Sequence, residues 1–132
     1  MTAIMNALAR ASKESFLTAS ARTSTGTGSG VDLVDYDGIM ALSLESAAGT
    51  GTTPTLAVTL EESNDNSTWT AVDAAEIDGG AFNGVVGAVS SQMRFIDTSK
   101  RKRYIREAHA IGGTTPSFTY SLIGIGFKKY QT

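Results

Sequence analysis

Few residues in this sequence are suited to chemistry. His109 is the sole histidine among 132 residues, and no cysteine is present. Serine hydrolysis would need His109 as a base, but the sequence has no Gly-x-Ser-x-Gly turn to hold the nucleophile. Zinc sites combine several imidazoles or thiolates, so zinc chemistry is not expected. We therefore interpret His109 as a strand residue and expect no catalytic residue and no enzyme activity.

A run of oxygen-bearing side chains offers a second candidate site. Glu61 and Glu62 precede the Ser-Asn-Asp-Asn-Ser segment at 63–67, and such groups can bind Ca²⁺. The run lacks the glycine and the final glutamate of a twelve-residue calcium loop, and the same residue types form hairpin turns. The glycine-rich segment 26–30 lacks the Gly-Lys-Ser/Thr of phosphate-binding loops. We interpret both segments as turns and expect no metal, no cofactor and no small-molecule substrate.

The strongest local charge is a basic cluster formed by Lys100, Arg101, Lys102, Arg103 and Arg106. The whole chain has a net charge of −2, so its overall field does not attract nucleic acid or an anionic membrane. Proteins that bind single-stranded nucleic acid combine basic residues with a stripe of aromatic residues. No such stripe accompanies this cluster. No segment approaches the roughly 20 apolar residues of a membrane span. Two interpretations stay open, a solvated turn or an electrostatic docking patch for an acidic protein surface.

Apolar and polar residues alternate along several segments, which predicts that β-strands position the candidate residues described above. The predicted core residues are Met40, Leu42, Leu44, Leu56, Val58, Leu60, Met93, Phe95, Tyr120 and Leu122. About eight such strands are separated by turn signals every 8 to 12 residues, as in a sandwich or barrel. We therefore predict an all-β sandwich, with a jelly roll as the first choice and an immunoglobulin-like sandwich as the second.

The sequence Gly-Thr-Thr-Pro occurs twice, at 51–54 and 113–116. Proline fixes its own φ and favours extended geometry in the residue before it. Each copy is followed by an alternating segment. We interpret each copy as a turn that leads into a strand.

The N-terminal segment has a different pattern. Residues 3–17 are rich in helix-forming types, with apolar residues on one side. A helix of about 14 residues is marginal in water on its own. We therefore predict a short arm or amphipathic helix over residues 1–18 that docks on a partner, followed by a sandwich domain over 19–132.

The end of the last strand is apolar on both sides. Its apolar residues are Leu122, Ile123, Ile125 and Phe127, with Gly124 and Gly126 between them. A strand of this kind is buried on both faces, within a sandwich or under another subunit. We expect self-association through Ile123, Ile125 and Phe127, as a homotrimer.

Five turn and strand segments together resemble a known group of proteins. They include VDLVDYDG at 31–38 and RYIR at 103–106, and the others lie at 49–60, 63–69 and 112–120. They resemble the small structural proteins of tailed bacteriophages, and most closely the capsid decoration or cement proteins. The resemblance implies a non-enzymatic virion protein that binds the outside of the capsid and stabilises it. Head-tail joining and tail proteins share the pattern, so those roles stay open.

The resemblance implies the major capsid protein of a phage as the partner. We expect synthesis in the bacterial host cytoplasm and a location on the capsid surface, without nucleic-acid or membrane partners. The candidate capsid-docking residues are Ile4, Leu8, Phe16, Lys100, Arg101, Lys102, Arg103 and Arg106. A carbohydrate-binding module is the competing class, with Trp69 and nearby tyrosines as its platform.

Overall fold

The computed structural model describes residues 9–129, which form eight strands and two short 3₁₀ helices. The strands are β1 (Ala11–Arg22), β2 (Gly26–Thr27), β3 (Val31–Asp32), β4 (Tyr36–Ser46), β5 (Thr50–Ser63), β6 (Thr70–Ala71), β7 (Ser90–Asp97) and β8 (Tyr104–Lys128). The 3₁₀ helices are Ala74–Glu76 and Thr98–Lys100. The predicted all-β class is confirmed.

The strands form two antiparallel layers that share β8. In the first sheet the order is β1, the second half of β8 (117–128), β4 and β7. In the second sheet β2 and β3 follow one another beside the first half of β8 (104–112), which pairs with β5, and β5 pairs with β6. The 25 residues of β8 therefore run through both layers.

This connectivity is that of a jelly roll. With β2 and β3 counted as one strand and the halves of β8 as two, there are eight strands in chain order. The first sheet then has the order 1-8-3-6 and the second 2-7-4-5. These are the two interlocked Greek keys of a jelly-roll sandwich. The predicted sandwich and its predicted strand number are confirmed.

The core lies between the two sheets, where the alternating residues of β4, β5 and β8 meet. The predicted core residues Met40, Leu42, Leu44, Leu56, Val58, Leu60, Tyr120 and Leu122 are all buried. Full burial of a leucine or valine side chain contributes about 1.5–3 kcal/mol relative to leaving it exposed. The alternation in these strands therefore predicts both the strands and their inward faces.

The predicted face of β7 is wrong. Ile96 is buried with 1% exposure, whereas Met93 is 52% exposed on the opposite side. Both alternating sets of β7 contain apolar residues, so its own sequence does not decide which set faces inward. The pairing with β4 does, because Ile96 lies opposite buried Met40.

The predicted N-terminal helix is wrong from residue 11 onward. Ala9 and Arg10 are helical, but β1 begins at Ala11 and pairs with β8 along its length. Sheet pairing and burial of Phe16 and Leu17 outweigh the small helix preference of this segment. The proposed division between residues 18 and 19 falls inside β1. Residues 3–8 lie outside the described residues.

The two Gly-Thr-Thr-Pro copies pair with each other within β5 and β8. Thr52 lies opposite Thr114, with register shifts on either side. Gly51 and Gly113 both have positive φ, and so do Thr53 and Thr115. A Cβ on Gly51 would lie 2.5 Å from the carbonyl oxygen of Thr115, so glycine is needed where the two strands approach closely. The repeats are a matched pair of bulges rather than turns that precede strands.

Candidate interaction surfaces

Arg101 of the basic cluster is an internal structural residue. Its side chain is only 2% exposed. Its Nη1 lies 3.4 Å from Glu62 Oε2 and its Nη2 lies 2.7 Å from Glu76 Oε2. The ion pairs fix the turn after the second 3₁₀ helix to β5 and to the first 3₁₀ helix. Arg101 is therefore removed from the capsid-docking candidates.

Arg103 and Arg106 are paired with carboxylates on neighbouring strands. Arg103 Nη2 donates to Asp32 Oδ2 at 2.9 Å, and this hydrogen bond lowers the pKa of Asp32 below its ordinary value. Arg106 Nε donates to Glu61 Oε1 at 2.8 Å. The basic cluster is thus less positive at the surface than its sequence indicates.

The two lysines carry the remaining positive charge of the cluster. Lys100 is exposed, and the Lys102 ammonium donates to Thr70 Oγ1 at 3.2 Å. Among the described residues, neither forms an ion pair with a carboxylate. Both stand on the turn between β7 and β8, where an acidic partner can reach them.

The docking candidates of the N-terminal segment separate in the structure. Phe16 is buried in the core, so it cannot contact a partner. A strand position facing the other sheet explains its apolar character. Ile4 and Leu8 lie outside the described residues and stay predictions.

An apolar face covers the outer side of the first sheet. It consists of Ile39, Ala41, Met93, Phe95, Ile123, Ile125 and Phe127. The most exposed members are Ile39 at 54%, Met93 at 52%, Ile125 at 45% and Phe127 at 36%. The three predicted self-association residues lie together on this face. Met93 and Phe95 also belong to this face because β7 has the opposite orientation to the predicted one.

Two glycines explain why the large residues of β8 point outward. A Cβ on Gly124 would lie 2.6 Å from Phe16 Cε1, and one on Gly126 would lie 2.8 Å from Tyr36 Cδ1. The inward positions of this segment must therefore lack side chains, because aromatic rings from β1 and β4 fill that space. The outward positions 123, 125 and 127 carry all of its apolar bulk.

Both edges of the first sheet are irregular or covered. The free edge of β1 is interrupted by register shifts between Ser15 and Leu17 and between Leu17 and Ser20. At the other edge Asp78 exchanges two backbone hydrogen bonds with Phe95 of β7. Bulges and covering loops of this kind prevent edge-to-edge pairing with another sheet.

A polar cluster is buried between the sheets. Glu107 has 0% exposure, and its carboxylate lies 2.9 Å and 3.2 Å from His109 Nδ1. The Tyr120 hydroxyl donates to Glu107 Oε2 at 3.1 Å, and burial together with the adjacent carboxylate raises the pKa of Tyr120. His109 is a strand residue, as predicted. Its ring is held in the core by Glu107, and Tyr120 meets it edge-on at 5.9 Å.

The oxygen-rich loop at 63–67 is a turn closed by Asp65. One oxygen of its carboxylate accepts from the Ser63 hydroxyl and from the backbone N–H groups of Ser67 and Thr68. These hydrogen bonds lower the pKa of Asp65 to about 2. No group of three potential metal-ligating side chains occurs within residues 9–129.

Arginine side chains cover the aromatic residues considered for carbohydrate binding. The Arg106 guanidinium lies 4.3 Å from the ring centre of partly buried Trp69. Arg103 lies over Tyr104 at 5.1 Å in the same way. One face of each ring is occupied by this stacking, which disfavours a sugar-binding platform there.

In the part of the chain that the structure describes, no helix is both long and apolar enough to cross a membrane.

No protein-family model matches the sequence, and no curated protein matches it. Solved structures do match its fold. The SPBc2 prophage-derived protein YomS is 14% identical, with 87% of this chain and 94% of that chain covered and a TM-score of 0.50. The PBSX exported protein XepA is 20% identical, with a TM-score of 0.54, and this chain spans 38% of its length. A chain of infectious bursal disease virus, Gx strain, is 15% identical, with a TM-score of 0.56 and 33% of that chain covered. At these identities the likeness shows a shared fold.

Proposed function

We propose that this chain is a non-enzymatic structural protein of a phage particle, which binds the outside of the capsid and stabilises it. The main support is the likeness in fold to the prophage-derived protein YomS, because it extends over nearly the whole of both chains. A viral chain contains a similar fold over a third of its length. The turn and strand pattern in the sequence, which resembles phage decoration proteins, points the same way.

The turn between β7 and β8 is the candidate surface for contact with the capsid. Lys100 and Lys102 project from the turn between β7 and β8 without a carboxylate partner among the described residues. Lys100 is exposed and Lys102 is partly exposed, and cations at a surface steer a protein towards an acidic partner. Individual contacts contribute little, but many copies repeated on a shell can reinforce it together. Ile4 and Leu8 remain further candidate contacts.

Binding to undecorated shells tests this function. Purified protein should co-sediment with the shells in a saturable manner and should raise their resistance to heat. Lys100→Glu should weaken binding by roughly fivefold, as expected for an exposed charge pair. Lys129→Glu makes the same charge change at another exposed lysine and should leave binding unaltered.

A role at the head-tail junction or in the tail is the competing proposal. Protein that neither binds nor stabilises intact shells would contradict the decoration role. Binding to connector or tail components in the same assay would then favour the competing one.

A further inference from the structure

The apolar face contains four exposed large apolar residues, and the sheet edges beside it are irregular or covered. Its four most exposed members come from three different strands, β4, β7 and β8. Contiguous apolar surface of this kind marks a protein interaction site. Since edge pairing is hindered at β1 and at β7, an approaching molecule has to pack on the face itself.

Side chains on this face alternate in size across the sheet. In one row, Ser15 of β1, Ile123 of β8, Ser43 of β4 and Met93 of β7 lie side by side. Read from β1 to β7, the row is small, large, small, large. Such a row leaves a gap beside each bulky residue.

The next row has the same arrangement at its centre. Ile125 of β8 is beside Ala41 of β4, with Lys13 and Phe95 at the two ends. In both rows β8 supplies the larger side chain and β4 the smaller one. A surface that fills these gaps must therefore place bulk over β4 and leave space over β8.

We propose that a second copy of this chain covers the apolar face, related to the first by a two-fold axis that runs along the strands between β8 and β4. This operation exchanges β8 with β4 and β1 with β7. Ile123 then lies over the partner's Ser43, and Ile125 over the partner's Ala41. Met93 lies over the partner's Ser15. In each of these three contacts a large residue meets a small one, which is how packed layers interdigitate. The same face serves both subunits, as in a two-fold dimer.

The charges at the rim suit the same axis. Lys13 is exposed on β1 at one edge of the face, and Asp97 lies on β7 at the other. Exchange of β1 with β7 brings the lysine of each copy towards the aspartate of the other, twice per dimer. Opposite charges around an apolar centre favour this orientation over others. The pairing needs no capsid, so its test is independent of the proposed function.

Engineered cysteines test the arrangement directly, since the natural chain contains none. Positions 15 and 93 are on the outer strands of the four-stranded sheet, about 14 Å apart at the usual strand spacing. A disulfide needs Cα atoms within about 7 Å, so it cannot form between them within one chain. In the proposed dimer, each position lies over the other position of the partner. Facing sheets pack about 10 Å apart, so a bifunctional thiol reagent of matching length is needed to join the two positions across the dimer, and it should be too short to join them within one chain. With such a reagent the double variant Ser15→Cys, Met93→Cys should form a covalent dimer, whereas either single variant should not.

Sedimentation of the full chain provides the second measurement. The protein should sediment at twice its 13.8 kDa monomer mass at micromolar concentration. Ile125→Lys should abolish the dimer without altering circular dichroism, because the residue lies outside the core. Thr59→Lys introduces the same charge on the outside of the second sheet and should leave the dimer intact. A monomer, or a homotrimer as expected from the sequence, would overturn the proposal. So would a dimer that the paired cysteines fail to cross-link.

Discussion

Replacing Glu107 with leucine tests whether the buried polar cluster stabilises the fold. The change leaves the Tyr120 hydroxyl and His109 Nδ1 without their carboxylate partner in the core. Each unsatisfied buried group costs about 1–3 kcal/mol, so the two together cost about 2–6 kcal/mol. Removal of a buried carboxylate and burial of leucine offset part of this cost. We expect a net loss of about 3 kcal/mol in the free energy of unfolding, measured by urea denaturation.

Two further variants show whether the lost stability comes from unpaired polar groups or from disrupted packing. Glu107→Gln keeps an acceptor for the Tyr120 hydroxyl and offers an N–H donor to Nδ1 of the other His109 tautomer, so it should cost about 1 kcal/mol or less. The triple variant Glu107→Leu, His109→Leu, Tyr120→Phe removes every member of the cluster. It should be more stable than Glu107→Leu alone, because no unpaired polar group is left behind. A single leucine variant as stable as the natural protein would refute the reasoning. A triple variant less stable than the single one would refute it too.

Three other changes test separate parts of the structure. Phe16→Ala should lower the free energy of unfolding by about 3–5 kcal/mol in urea, because the ring is in the core; a docking residue on a loose arm would show no change. Thr53→Asn should raise the melting temperature, since a β-branched residue at φ 46° is strained by about 1–2 kcal/mol and asparagine tolerates this region. The folded pKa of Asp65, about 2, lies below its ordinary 3.8, so its contribution is present above pH 3.8 and is lost as the pH falls towards 2. The melting temperature of Asp65→Asn should therefore approach that of the natural protein as the pH is lowered over this range.

The fold class could be predicted because the large apolar residues of β5 all lie on one side, and those of β4 nearly all do. Each of these strands has a single possible inward face, so alternation fixes its orientation as well as its existence. The order of a jelly roll could not be read in this way. The strand order depends on which distant segments pair, and β8 pairs with other strands along both of its edges. The Gly-Thr-Thr-Pro copy at 113–116 marks the point at which β8 passes from one layer to the other, but its turn residues do not show that the strand continues through it.

The candidate surfaces were harder to predict for two physical reasons. Residues 100–103 of the basic cluster form a turn as predicted, and Arg106 lies in β8, but the carboxylates that neutralise Arg101 and Arg106 come from β5 and from the first 3₁₀ helix. Long-range ion pairs leave no local signal in the sequence. In β1, helix-forming residue types concealed a strand, because the pairing with β8 is likewise non-local. The apolar end of β8 led to the prediction of a self-association surface, and the exposure of Ile125 and Phe127 is consistent with that prediction.

The long strand β8 also determines when the protein can fold. Five other strands, β1 to β5, form hydrogen bonds with it, and it is the last of the eight to be synthesised. β1 has no other partner strand within the described residues, so it must wait unpaired while the intervening chain is made. Contacts of such long sequence separation make folding slow and leave early strands exposed to aggregation. Completion of β8 is therefore the step that converts an open chain into two closed layers, and the sandwich should assemble only after translation has passed it.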